Sequence, residues 1–334
     1  MRNRINNSVV AIAIAAALGA ANIAVADTIT YGKIHLSAGR TTSEEATGDI
    51  TSTQVKSHAS RFGIKSEKVL DNGMTVTGQL EYEVDSVGDS TKSSTDLIKA
   101  RNSYFGLKGG FGEVRAGIHD LPSKMSTGDL DPFADTYADY NNVLMADDRG
   151  SNTVMYLNKF GGFNIALSYS ASKSNKDTPT ATTDNVDAMN SAMVNYTVGP
   201  VFVSLSTVNY LNAALGGIES SPKAGFGYDF GMVKLGLVYE RDMLKDAKDD
   251  SAGYASLQWK LTDAGSINAA YGKLNYGDTT KKDKSFYAVG YNHKLDKSAS
   301  LYLLYTKGKD DGLTTKASLN GDGSAVVLGA TYSF

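Results

Sequence analysis

Segment after segment of this 334-residue chain alternates apolar and polar side chains with a period of two. Met74, Val76, Gly78, Leu80, Tyr82 and Val84 share one face, and Thr75, Thr77, Gln79, Glu81 and Glu83 share the other. Phe163, Ile165, Leu167 and Tyr169 alternate in the same way with Asn164, Ala166, Ser168 and Ser170, and Val233 to Glu240 repeats the pattern. Such a period belongs to strands with one greasy and one wet face. Soluble sandwich strands also alternate, and three further features select a membrane barrel. The wet face is rich in ionisable residues. The apolar face often ends in Tyr or Phe, as interfacial aromatic girdles require. Short connections (71–73, 197–200, 230–231, 295–297) also alternate with long charged ones (40–57, 86–98, 172–186, 242–250, 275–283, 308–324), the asymmetry of periplasmic turns and external loops.

Sixteen alternating segments can be counted, centred near residues 33, 64, 80, 104, 116, 155, 167, 193, 205, 226, 236, 257, 270, 289, 302 and 330. The expected fold is therefore all-β, a 16-stranded antiparallel transmembrane β-barrel with its last strand closing the wall at Phe334. No segment after the N-terminus offers the ~18 uninterrupted apolar residues of a membrane helix.

The first 26 residues read as a cleaved signal peptide. Arg2 and Arg4 form a positive start, Val9 to Ala21 an apolar run, and Ala24-Val25-Ala26 a small-x-small cleavage site. Residues 27–334 then form one barrel domain in the cell outer membrane. Taking Arg2 and Arg4 from 33 basic residues leaves 31 against 36 acidic ones, a net charge of −5. That excess of acid argues against nucleic acid as a partner. With no cysteine there is neither a disulfide framework nor thiolate chemistry.

Residues 120–148 contain no clean strand but hold Pro122, Gly128, Asp129, Asp131, Pro132, Asp135, Asp139, Asp147 and Asp148. A connection this long in a compact fold is commonly functional. One reading is a solvated external loop. The other is an inward-folded third loop that presents Asp129, Asp131 and Asp135 to the lumen. Lys33, Arg61, Lys65, Arg101 and Arg149 sit on polar phases or strand starts and supply a facing basic wall. Opposed charges across a narrow opening order water and favour small hydrophilic solutes over apolar ones.

These residues resemble the Gram-negative general porins, closest to the neisserial and related proteobacterial branch. The resemblance runs in order through Thr30-Tyr31-Gly32-Lys33-Ile34, Ser60-Arg61-Phe62-Gly63-Ile64-Lys65, Asn72-Gly73, Arg101 to Gly112, Thr127 to Phe133, Arg149 with Asn152, Val154 and Tyr156, Leu295-Asp296-Lys297-Ser298, and Ala330 to Phe334. It implies a homotrimer of diffusion pores, each narrowed by the third loop. Lys33, Arg61, Arg101 and Arg149 would form the basic side of the constriction, and Asp129, Asp131 and Asp135 the acidic side. The resemblance also implies recognition of Phe334 by barrel-assembly machinery. Ile118-His119 departs from the family pattern, where an Arg is usual.

A substrate-specific porin, for instance for an oligosaccharide, is the main rival, but Tyr137, Tyr140, Tyr254 and Tyr302 are few for an aromatic slide. A pore-poor structural barrel or adhesin is the third reading. No enzyme is expected, since His35, His58, His119 and His293 lack the contexts of nucleophilic catalysis. No cofactor or metal site is expected either. Asp246, Asp249 and Asp250, and the pair Asp310 and Asp311, are candidates for divalent ions beside outer-membrane lipid and lipopolysaccharide, with a solvated loop as their default.

Overall fold

The computed structural model of the chain describes residues 27–44, 49–88, 97–171, 188–211, 217–309 and 322–334. The segment 1–26 expected to be a signal peptide, the expected 172–186 loop and the pair Asp310 and Asp311 lie outside the described residues.

Among the described residues, eighteen strand segments form one antiparallel sheet. In chain order they are β1 (Asp27–Glu44), β2 (Ile50–Ser57), β3 (Arg61–Val69), β4 (Thr75–Val84), β5 (Ile98–Ala100) and β6 (Ser103–Gly109). Next come β7 (Gly112–Asp120), β8 (Arg149–Phe160), β9 (Phe163–Ser170), β10 (Met189–Val198), β11 (Val201–Tyr210) and β12 (Ile218–Asp229). The rest are β13 (Val233–Leu244), β14 (Asp250–Lys260), β15 (Gly265–Asn275), β16 (Lys284–Lys294), β17 (Ala299–Lys309) and β18 (Asp322–Ser333). All sixteen predicted centres fall within strands.

The eighteen segments make sixteen staves because two staves are broken. β2 and β3 both pair with β1, through Leu36↔Ser57 and Lys33↔Arg61, and the break is His58-Ala59-Ser60. Ala59 there has φ of +50°, outside the extended region. β5 and β6 likewise share β4. β18 pairs with β1 from Lys33↔Ser333 to Glu44↔Asp322, and the backbones of Gly32 and Phe334 exchange hydrogen bonds of 2.9 and 3.0 Å. The sheet thus closes with no free edge, as lipid demands. A side chain on Gly32 would collide with the Phe334 ring, so this glycine gives the terminal aromatic its seat.

Alternation sorts the wall into two faces. Val326, Leu328, Tyr332 and Phe334 are all at least 49% exposed on the outside, while Ala325 and Val327 are buried within. The sequence reading erred at residues 40–57, expected as a loop. β1 runs on to Glu44 and β2 begins at Ile50. Every residue from Ile50 to Gln54 is exposed, so both faces of this hairpin are wet and no hydrophobic period marks it. The 242–250 loop shrinks similarly, since β13 reaches Leu244 and β14 starts at Asp250.

The two faces of one strand should respond oppositely to charge. Leu167→Arg, on the outward phase of β9, is expected to cost about 2–4 kcal/mol of folding free energy in lipid. Asn164→Arg, on the inward phase, should cost less than about 1 kcal/mol. Denaturant titrations of folding into liposomes measure both, and equal costs would reject the assignment of faces.

Candidate functional site

Between β7 and β8 the chain enters the lumen. Leu121 N–H donates to Asp148 C=O (3.0 Å) and closes the base of the excursion. A short helix follows, α1 (Pro122–Thr127), with Pro122 in its first turn where a missing N–H costs nothing. The 3₁₀ turns Gly128–Leu130 and Tyr140–Asn142 shape the remainder.

Wall side chains on the inward phase hold this segment along its length. Ser123 N–H donates to Ser191 Oγ (3.0 Å) and Asn195 Nδ2 to Ser126 C=O (3.3 Å), both on β10. Ser126 Oγ lies 2.8 Å from Ser206 Oγ on β11. On β14, Tyr254 donates its hydroxyl to Asp131 Oδ1 (2.6 Å) and Ser256 to Leu130 C=O (2.6 Å). Gly225, Gly227 and Gly236 leave the hollow that the Leu130 side chain fills. Leu130, Phe133, Tyr137, Tyr140, Val143 and Leu144 pack on Val238, Ala252, Ala270, Ala288 and Val327, giving the barrel an apolar core inside its own lumen.

The return arm hangs on a buried charge pair. Lys223 and Glu240 face each other across β12 and β13, both fully buried, with Nζ and Oε2 3.1 Å apart. Glu240 Oε1 accepts the Met145 and Ala146 N–H groups (2.6 and 3.1 Å), and Lys223 donates to Ala146 C=O (2.9 Å). Sequence reasoning missed this pair. Both residues are on inward phases, but only the strand register places them opposite one another.

The predicted residues fall into three groups. Asp135 reaches the basic wall, with Oδ2 3.4 Å from Lys33 Nζ and 3.2 Å from an Arg61 guanidinium nitrogen. Burial pushes its carboxyl up, but Lys33, Arg61 and Arg101 outweigh burial and hold it below the ordinary carboxylate value. Asp135 takes a φ of +59°, and Asp139 Oδ2 accepts its N–H (2.7 Å). Arg101 and Arg149 do not meet the loop. Arg101 pairs with Glu81 (2.7 Å) and Glu83 (2.8 Å), and Arg149 with Asp120 (2.8 Å).

The expectation that Asp129 and Asp131 face this wall is corrected. Asp131 is only 7% exposed, its carboxylate accepting from Tyr254 and from the N–H groups of Phe133 and Tyr140 (2.8 and 3.0 Å), so it braces the loop. Asp129 is exposed, but beside Pro200, Tyr228 and Lys234, on the other side of the lumen. The cause is local: the 3₁₀ turn drives Leu130 into its glycine hollow and leaves Asp129 over β12 and β13.

Arg115 on β7 was not singled out from sequence, yet it belongs to the charged wall. It pairs with Glu113 (2.8 Å), lies 4.3 Å over the Tyr104 ring and contacts His119 Nε2 (2.9 Å). His119 is thus a satisfied buried group. Asp249 pairs with Arg241 (2.8 Å), and no group of three metal-ligating residues occurs among the described residues.

A family model described as Gram-negative porin matches residues 10–313. Outer membrane porin protein 32 of Delftia acidovorans is 29% identical over 337 residues, covering 91% of this chain and 90% of that protein. Major outer membrane protein P.IB of Neisseria meningitidis is 26% identical over 336 residues, covering 93% and 85%. Among solved structures, an anion-selective porin from Comamonas acidovorans superposes with a TM-score of 0.74 at 22% identity, covering 92% of this chain and all of that one.

Two outcomes test the loop's anchoring. Lys223→Met strands Glu240 as an unpaired buried charge and should cost about 3–5 kcal/mol, measured as a lowered unfolding midpoint. The second concerns pH. Burial pushes the loop carboxyls of Asp131 and Asp139 up, to about 6 and about 7, and the neighbouring Asp131 charge raises Asp139 further. The native state therefore holds protons that the unfolded chain releases above the ordinary value of 3.8. Their contribution to stability is greatest below that value and falls as pH rises to about 7. Asp135, with its lowered value, loses its contribution only as pH falls below 3.8. Thermal melts in detergent should show this decline between the two values, and Asp139→Asn should flatten it.

Proposed function

This chain belongs to the Gram-negative porin family, and from that premise we propose that it is a general diffusion porin of the outer membrane whose constriction is set by the third loop and the charged wall of β1 and β3–β8. The observation that carries the reading is a loop held across the lumen while Arg101, Arg115 and Arg149 stay clear of it, paired with carboxylates of their own wall. From Ser123 to Ala146 it hydrogen-bonds to β10–β14 and packs on β13–β18. It reaches the opposite wall through Asp135, on Lys33 and Arg61, and through Tyr137, whose hydroxyl accepts from Gln54 of β2 (3.1 Å) and whose ring lies under Lys56 (4.6 Å). On that wall Lys33, Arg61, Arg101, Arg115 and Arg149 keep side-chain exposures of 13–24%, which fits groups bordering water in a narrow passage.

The charges there are closely balanced. Each of the five cations has a carboxylate within 3.4 Å, drawn from Glu81, Glu83, Glu113, Asp120 and Asp135. Paired charges cancel beyond their own separation but leave strong local dipoles. Such a passage orders water, discriminates weakly between ions of either sign and disfavours apolar solutes. The function is passive transport without catalysis. The active unit is a homotrimer, a reading supported by the trimer form named for the Vibrio cholerae OmpT structure, which shares this fold. Export by the 1–26 signal peptide, association with lipopolysaccharide and recognition of Phe334 during assembly belong to the same reading.

Planar-bilayer recordings test it. Ion current rising in steps of three, with little dependence on solute identity, is expected; absence of current would reject the pore. Asp135→Asn leaves Lys33 and Arg61 without their shared counter-charge and should move the permeability ratio toward anions by up to about fivefold at low salt, less above 0.1 M. An unmoved reversal potential would remove Asp135 from the constriction.

A further inference from the structure

Opposite the arginines, the inward phase of β14–β18 carries a different chemistry. The register sets Gln258 across from Asn268, Asn292 across from Tyr302, and Ser300 across from Thr331. These six side chains form a belt of carboxamides and hydroxyls, and they line a recess of about 160 Å³ roofed by Pro132 and Phe133 of the loop. The roof is seated by a glycine: a side chain on Gly290 would press on the Phe133 ring at 3.1 Å. Within the belt, Ser300 and Thr331 hydroxyls are 2.7 Å apart and the Tyr302 hydroxyl is 2.9 Å from His35 Nε2.

Two buried polar atoms here have no partner among the described residues, Asn268 Oδ1 and His35 Nδ1. Asn268 is 6% exposed and His35 2% exposed. Native structures rarely leave a buried carbonyl oxygen without a donor, so an unpaired one on a recess wall points to a group brought from outside. The charge that borders the recess is compensated, because Lys33 is bound to Asp135.

We propose that this recess is a low-affinity subsite for a neutral polyhydroxy solute, a single sugar ring or a small polyol, in the periplasmic half of the lumen. The proposal rests on the diffusion-porin reading and deepens it by naming a solute class. Carboxamides and hydroxyls each donate and accept, as do the vicinal hydroxyls of a sugar. Phe133 and Pro132 supply the apolar face on which the C–H face of a ring packs. The six side chains of the belt are themselves uncharged, which sets this wall apart from the paired ions of β3–β8. The volume is below the ~300 Å³ of sites for larger ligands, so one ring fits and an oligomer does not.

The experiment uses the full protein in planar bilayers, with D-glucose and sorbitol as probes and the current corrected for bulk conductivity. Wild type should show a saturable reduction of current. Asn268→Ala and Asn292→Ala, checked for heat-modifiable migration as folded barrels, should each raise the half-saturating concentration about tenfold, the loss of roughly one good hydrogen bond. Asn292 is half-exposed, so its variant keeps the test open should Asn268→Ala not fold. A current that falls only in proportion to viscosity, or half-saturation equal in wild type and both variants, overturns the subsite and leaves the pore intact. Without any ion current the pore reading fails instead. The subsite is then decided by saturation-transfer NMR on the protein in micelles, where transfer to D-glucose sustains it and no transfer overturns it.

Discussion

Everything in this molecule depends on pairing the backbone in a medium that offers no hydrogen bonds. Sixteen staves meet that demand only if the first meets the last, and the β1–β18 ladder of twelve residue pairs is where it is met. The terminal aromatic is part of this closure, since the Phe334 backbone pairs with Gly32 and its ring covers that glycine. Once the wall is closed, period-two alternation sends every other side chain into a shared interior. The lumen therefore inherits whatever the sequence places on the inward phase, and its character differs from sector to sector.

That interior solves a second problem, how to hold a loop of some thirty residues in water without a continuous hydrophobic core beneath it. The answer is mixed. Glycine and alanine on β12–β16 open hollows for Leu130, Phe133, Tyr140 and Val143. Buried polar groups then fix direction where greasy contacts alone would let the loop slide. Asp131 gathers one hydroxyl and two backbone N–H groups, and Glu240 gathers two more beside Lys223. Desolvating such a pair costs nearly as much as its attraction returns. Its benefit is therefore a unique geometry for the return arm more than raw stability.

Period-two patterning made the staves legible, because one face of each meets lipid and the other water. It failed where that contrast vanishes: at β2, wet on both sides, and at β5, only three residues long. The loop was legible as an anomaly of length, and Asp135 as its contact with Lys33 and Arg61. The burial of Asp131 was not, because its partner Tyr254 lies 123 residues further along the chain. The Lys223–Glu240 pair and the Arg115–Glu113–Tyr104 cluster were hidden for a related reason. Phase says which side chains point inward, whereas only register says which of them meet.

Register also explains why the loop lies where it does. The wall of β3–β8 is already saturated: Arg101, Arg115 and Arg149 hold their carboxylates at 2.7–2.8 Å, and covering them would strip water from charges for no new partner. The wall of β12–β16 offers small residues and hydroxyls, so burying the loop there removes apolar surface from water, and the one ion pair it covers, Lys223 and Glu240, gains backbone partners from the loop in exchange for its water. Asp135 links the two through charge, as Tyr137 does through Gln54 and Lys56 of β2. Lys33 and Arg61 share its carboxylate, and without Asp135 neither has another salt-bridge partner among the described residues. One acid at the loop tip thus supplies the charge the basic wall lacks. The division of the lumen into a charged and a neutral side follows from where each strand's cations found their partners.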